Sequence, residues 1–119
     1  MRDERRTIKR RKFGYYMRVM DSTTRDLIGY LSDISPQGFK LDSKKALMIN
    51  KDYSLRLELT PEISDRPSIT FIARVIWCQQ DPYNPDQYIE GFQIVNIAPS
   101  VQVIFQRIVD KYSRPDSLW

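Results

Sequence analysis

The chain has 119 residues, 41% of them hydrophobic and 29% charged, with a net charge of +4, one cysteine and no histidine. That is enough chain to close one core unaided, so a single domain is expected. The lone Cys78 excludes an intramolecular disulfide, and the missing histidine removes the usual zinc ligand sets and every triad built on an imidazole base, so neither an enzyme nor a bound metal or cofactor is expected.

In chain order, residues 1–12 read as a flexible basic arm. Seven basic residues (Arg2, Arg5, Arg6, Lys9, Arg10, Arg11 and Lys12) face only Asp3 and Glu4, a segment charge of +5 that leaves −1 for the remainder. A basic arm on a nearly neutral body suits an anionic partner, with nucleic acid, nucleotide and acidic lipid all open on charge grounds. No apolar run approaches the roughly 18 to 20 residues of a membrane helix, and no apolar stretch follows the first charges, so neither a span nor a secretory signal is expected and the protein is placed in the cytoplasm.

From Phe13 to Met20 the residues alternate with the period of a strand, Phe13, Tyr15, Met17 and Val19 sharing one face. Asp21 to Asp26 is a polar turn, Leu27 to Ile34 a second strand and Gly38 to Leu41 a short third one. Between the last two lies S-D-I-S-P-Q-G-F, in which Asp33, Ser35 and Gly38 form D-x-S-x-x-G. Asp and Ser side chains bond to nearby backbone groups, Pro36 fixes its own φ, and Gly38 is free to take positive φ, so the segment is a turn between strands.

Ser43 to Lys51 has no clear period and is expected as loop or a single turn. Tyr53, Leu55, Leu57 and Leu59 alternate with Ser54, Arg56 and Glu58 as a half-buried strand, and Thr60 to Pro67 is a loop. In the longest strand candidate, Ser68 to Gln79, Ile69, Phe71, Ala73, Val75 and Trp77 share one face, with Ile72, Ile76 and Cys78 helping to cover the other and Cys78 serving as inert packing. Gln80 to Gln87 is a loop and Tyr88 to Asn96 the last strand. The period then changes: Val101, Ile104, Phe105, Ile108, Val109 and Tyr112 make one stripe of an amphipathic helix with Pro99 in its first turn, and residues 113–119 form a tail. Six short strands and one helix over residues 13–112 point to a mainly β fold, a six-stranded antiparallel barrel with the C-terminal helix packed on or plugging it.

The arm carries a second spaced pattern. Among Arg5, Arg6, Arg10 and Arg11, the pair Arg6 and Arg10 forms R-x-x-x-R, 23 positions before Asp33 and separated from it by a strand, a turn and a second strand. This pair of motifs in this placement resembles the PilZ domain family of bacterial cyclic di-GMP receptors, over essentially Glu4 to Tyr112. The resemblance implies a site of Arg5, Arg6, Arg10, Asp33, Ser35 and Gly38, with cyclic di-GMP as ligand and a protein effector of unspecified identity as partner. The ligand's chemistry agrees. Guanidinium forks onto phosphate oxygens, forks onto guanine O6 and N7 and stacks on a purine face, while a carboxylate such as that of Asp33 accepts from guanine N1–H and N2–H. An arm that folds over the ligand would couple binding to ordering. Two other readings predict different behaviour: a PilZ-fold adaptor that binds only proteins, through the helix face or Trp119, and a small barrel that binds single-stranded nucleic acid through the arm, Tyr15 and Tyr16.

Overall fold

The computed structural model describes residues 17–112. The strands are β1 (Met17–Asp21), β2 (Leu27–Ser35), β3 (Gly38–Ser43), β4 (Asp52–Glu58), β5 (Ser68–Gln80) and β6 (Tyr88–Asn96), followed by helix α1 (Pro99–Tyr112). Every neighbouring pair is antiparallel, and the order β1-β2-β3-β6-β5-β4 closes on itself through β1 and β4 to form a barrel. Closure leaves no unpaired edge. The expected first-strand residues Phe13 to Tyr16 and the arm lie outside the described residues, as does the tail 113–119.

Local chemistry sets the turns. In the β1–β2 turn the Asp21 carboxylate accepts from the amides of Thr23 (2.8 Å) and Thr24 (3.0 Å), which holds its carboxyl below the usual carboxylate range. Arg25 closes that turn in the left-handed region at φ 68°. Residues 44–51 are a loop, as expected, while Ser43 ends β3, and the loop is fastened to β5 by Asn50 N–H donating to Val75 O (2.7 Å) and Val75 N–H donating to Lys51 O (3.1 Å).

The barrel interior is filled by alternating side chains, among them Val19, Leu31, Ile34, Phe39, Leu41, Leu55, Leu57, Ile69, Phe71, Val75 and Phe92, each at most 4% exposed. The helix stripe is buried as its spacing predicts, and Phe105 brings its ring to 5.9 Å from Phe71 and 6.5 Å from Phe39. The helix therefore closes the core of the barrel rather than forming one of its own. Its far end is tied to the 59–67 loop through Lys111 and Glu62 (3.6 Å) and through Arg107, which donates to Ile63 O (3.2 Å).

Four register shifts interrupt the ladders, and two of them, at Ser32 and Ile76, are bulges that set the faces beside the β2–β3 turn. Leu31 pairs with Leu41 but Asp33 pairs with Lys40, so Ser32 is an extra residue on β2; this is how Leu31 and Ile34, three positions apart, both point inward. On β5, Val75 pairs with Phe92 and Trp77 with Gly91, which makes Ile76 the extra residue. The expectation that Trp77 shares a face with Ile69, Phe71, Ala73 and Val75 is thereby corrected: the bulge turns it to the outer face, over Gly91. Ile76, expected to help cover a face, is itself 41% exposed.

Candidate functional site on the outer face of the barrel

The D-x-S-x-x-G segment forms the β2–β3 hairpin. Ser35 and Gly38 pair across a two-residue loop of Pro36 and Gln37, and neither loop residue has positive φ, which excludes type II and the primed turns and leaves Pro36 at the first central position, where proline is favoured. Ser35 Oγ donates to Gly38 O (3.3 Å) and Asp33 Oδ1 accepts from the Ile34 amide (2.9 Å). The turn is also fastened to β6, where Ile94 N–H donates to Gln37 O (3.0 Å).

Gly38 is required for a reason other than the one expected from the sequence. Its φ lies outside the left-handed region; instead, a Cβ at this position would run into the carbonyl oxygen of Phe92 on β6. The glycine lets β3 and β6 approach beside the turn.

The Ser32 bulge decides which way the motif faces. With Ile34 and Phe39 pointing inward, Asp33, Ser35, Gly38 and Lys40 fall on the outer side of the sheet by alternation, although Asp33 and Ser35 are each only 7% exposed. Following the pairing outward from Asp33 gives a row across four strands: Asp33 on β2, Lys40 on β3, Gly91 on β6 and Trp77 on β5. Gly91 has no side chain, and the Trp77 indole lies over it, close enough that a Cβ there would meet the ring. Lys40 Nζ is 5.9 Å from the centroid of the Trp77 ring, a cation–π distance. A second row runs from Ser35 through Gly38 and Gln93 to Arg74. Arg74 is held by a forked pair of hydrogen bonds to Asp52 (2.7 and 3.3 Å), which pulls the Asp52 carboxyl below its ordinary range.

The structure therefore brings together Asp33, Ser35 and Gly38 on one outer face, and adds Lys40, Gln93 and Trp77, none of which was legible as a site residue in the sequence. Only the β5 bulge puts Trp77 there, and a Val-Ile-Trp-Cys run carries no signal for a bulge. Arg5, Arg6 and Arg10 lie outside the described residues. Met17, where the described chain begins, pairs with Leu31, and β1 runs away from Asp33, so the described chain starts near the Asp33 end of β2.

A polar cluster is also buried inside the barrel. Glu90 is 0% exposed, with the Ser43 hydroxyl at 2.8 and 2.9 Å from its two oxygens and Cys78 Sγ at 3.4 Å. Burial pushes its carboxyl up to about 7, against the lowering effect of these hydrogen bonds and with a further push from Asp42. Burial also raises the Cys78 thiol, consistent with a packing role.

The model of the PilZ domain matches residues 4–111. The chain belongs to the PilZ domain family. No curated protein matches the sequence, but solved structures share the fold. One is the PilZ domain of YcgR from Escherichia coli with c-di-GMP, at 17% identity and a TM-score of 0.59, covering 82% of this chain and 80% of that one. A second is the Bacillus subtilis inhibitor of motility MotI/DgrA, at 18% identity and TM-score 0.63, covering 81% of this chain and 46% of that one. A third is PlzA from Borreliella burgdorferi in complex with c-di-GMP, at 12% identity and TM-score 0.52, covering 96% of this chain and 52% of that one. This PilZ domain thus spans about half the length of the latter two proteins.

Proposed function

We propose that this PilZ domain is a cyclic di-GMP receptor that orders its N-terminal arm over the ligand and signals through a protein partner. The observation that carries the reading is the alignment of Asp33 and Ser35 with Lys40 and Trp77 on one side of the sheet, thinned by Gly38 and Gly91, near Met17 where the described chain begins. Arg10 is seven residues before Met17, a covalent reach of up to about 25 Å, which is ample to bring the R-x-x-x-R pair to that surface.

The roles follow from the groups. Arg5, Arg6 and Arg10 supply forked donors to the two phosphates and to guanine O6 and N7, and planar cations for stacking. The Asp33 carboxylate accepts from the Watson–Crick edge of a guanine. Ser35, whose proton is given to Gly38 O, retains lone pairs that accept from ligand N–H groups. Trp77 offers an aromatic surface to the second base, with the Lys40 charge beside it. Two of the three structural neighbours are described with c-di-GMP, which supports the choice of ligand.

Titration calorimetry with cyclic di-GMP, with GTP as competitor, tests the reading. Arg6→Ala, Arg10→Ala and Asp33→Ala are each expected to weaken binding by about 1.5 to 3 kcal/mol, roughly 10- to 150-fold. Unchanged affinity in all three would overturn the site, and a folded protein that takes no ligand would point to the protein-only adaptor. Amide exchange in residues 2–12 is expected to slow with ligand; equal rates would overturn the folding of the arm.

A further inference from the structure

On the β3–β4 loop, three consecutive apolar residues are treated differently by the fold. Leu47 turns in and packs against the core. Met48 and Ile49 turn out, 65% and 53% exposed, the two largest exposures among the buried-type side chains of β-barrel and loops. Their exposure comes from a fastened backbone. Met48 N–H donates to the Tyr53 hydroxyl (3.4 Å), Asn50 sits at φ 67° with its amide on Val75 O, and Lys51 O receives the Val75 amide. Ile76, the bulged residue next to Val75, adds a third apolar side chain, 41% exposed, beside the same loop.

The charge around this tip has one sign. Between Ser43 and Lys51 there are three lysines (Lys44, Lys45 and Lys51) and no acidic residue. Among the described residues these lysines form no ion pair; Lys51 lies over the Tyr53 ring at 5.1 Å and feels Asp21, whose carboxylate is occupied by the Thr23 and Thr24 amides. Asp52, the next acidic residue, is held by Arg74.

We propose that the loop 44–51 is a membrane-docking element that seats this domain on an anionic lipid surface, Met48 and Ile49 entering the acyl boundary while Lys44, Lys45 and Lys51 meet the headgroup phosphates. A projecting, pre-set apolar tip ringed by lysines matches a penetrable anionic layer, because insertion needs no complementary pocket and little chain ordering is left to oppose it. An acidic protein face would satisfy the lysines but leave the two projecting side chains needing a matching cavity.

The test uses the full chain in co-sedimentation with vesicles of phosphatidylcholine alone and with about a third phosphatidylserine. Partition is expected only with phosphatidylserine, falling about fivefold for each of Lys44→Ala and Lys45→Ala and by tenfold or more for the double variant Met48→Ser, Ile49→Ser. The double variant is expected to melt like the wild type, since neither side chain is buried. Because the basic arm also attracts anionic vesicles, an Arg5→Ala, Arg6→Ala, Arg10→Ala variant is run alongside and is expected to keep the dependence on Met48 and Ile49. Three results would each overturn the proposal: no partition by the wild type, partition indifferent to Met48 and Ile49, or complete displacement by soluble polyglutamate, the last two of which indicate purely ionic contact of the kind an acidic protein makes.

Discussion

Gly38 and Gly91 look alike in the sequence but are constrained by different neighbours. At Gly38 the obstacle to a side chain is the Phe92 carbonyl of the paired strand, which cannot move without opening the β3–β6 ladder. Gly38→Ala is therefore expected to lower stability by about 1 to 3 kcal/mol, read as a lower melting temperature. At Gly91 the obstacle is the Trp77 indole, a side chain that can swing away. Gly91→Ala should melt closer to wild type while weakening the ligand, because it displaces the aromatic surface and leaves the backbone in place. Glu90 sets a pH dependence. The Ser43 hydroxyl lies 2.8 Å from Lys45 O as well as beside Glu90, and its one hydrogen cannot serve both. A protonated Glu90 resolves the conflict by donating to Ser43 Oγ while Ser43 donates to Lys45 O. With its carboxyl raised from 4.5 to about 7 in the fold, the native state holds a proton that the unfolded chain releases. This contribution is complete below about pH 4.5, is lost as the pH rises to about 7 and is flat beyond, a change of about 3 kcal/mol. Chemical denaturation at about pH 5 and about pH 8 is expected to show that loss in wild type and not in Glu90→Gln.

At the scale of elements, the two bulges do most to shape the outer face. One extra residue reverses the in–out phase of everything beyond it. Ser32 does this for Asp33 and Ser35, and Ile76 does it for Trp77. Trp77→Ala is thus expected to weaken cyclic di-GMP binding by about 1 to 3 kcal/mol in calorimetry, the magnitude of a lost base stack, while sparing the core that a Trp on the inner face would have supported. The helix shows the opposite case, in which the period survives uninterrupted. Phe105 is 3% exposed against Phe39 and Phe71, and Phe105→Ala should cost about 3 to 5 kcal/mol, seen as a large drop in the denaturation midpoint.

For the whole molecule, the proposed ligand surface lies on the outside of a closed barrel whose interior is filled by apolar side chains. Binding there need not rearrange the core, so the ligand acts on stability by mass action. At about 100 times its dissociation constant, cyclic di-GMP is expected to add about 2.7 kcal/mol, measured as a rise in melting temperature that Asp33→Ala removes. The ionic share of the binding should make it weaken with salt.

Much of this was written in local order along the chain. The strands, the turn at Pro36, the helix stripe and the D-x-S-x-x-G and R-x-x-x-R motifs depend on residues within a few positions of one another, and period, turn chemistry and spacing are visible at that range. Strand order, barrel closure and the phase of β2 and β5 depend on which backbone meets which across the sheet. Gly38 answers to Phe92, 54 positions away, and Trp77 faces outward only because Ile76 has no partner opposite it on β6. Those are properties of pairs that the chain's linear order does not contain, and they decided that Asp33, Ser35, Lys40 and Trp77 share one surface.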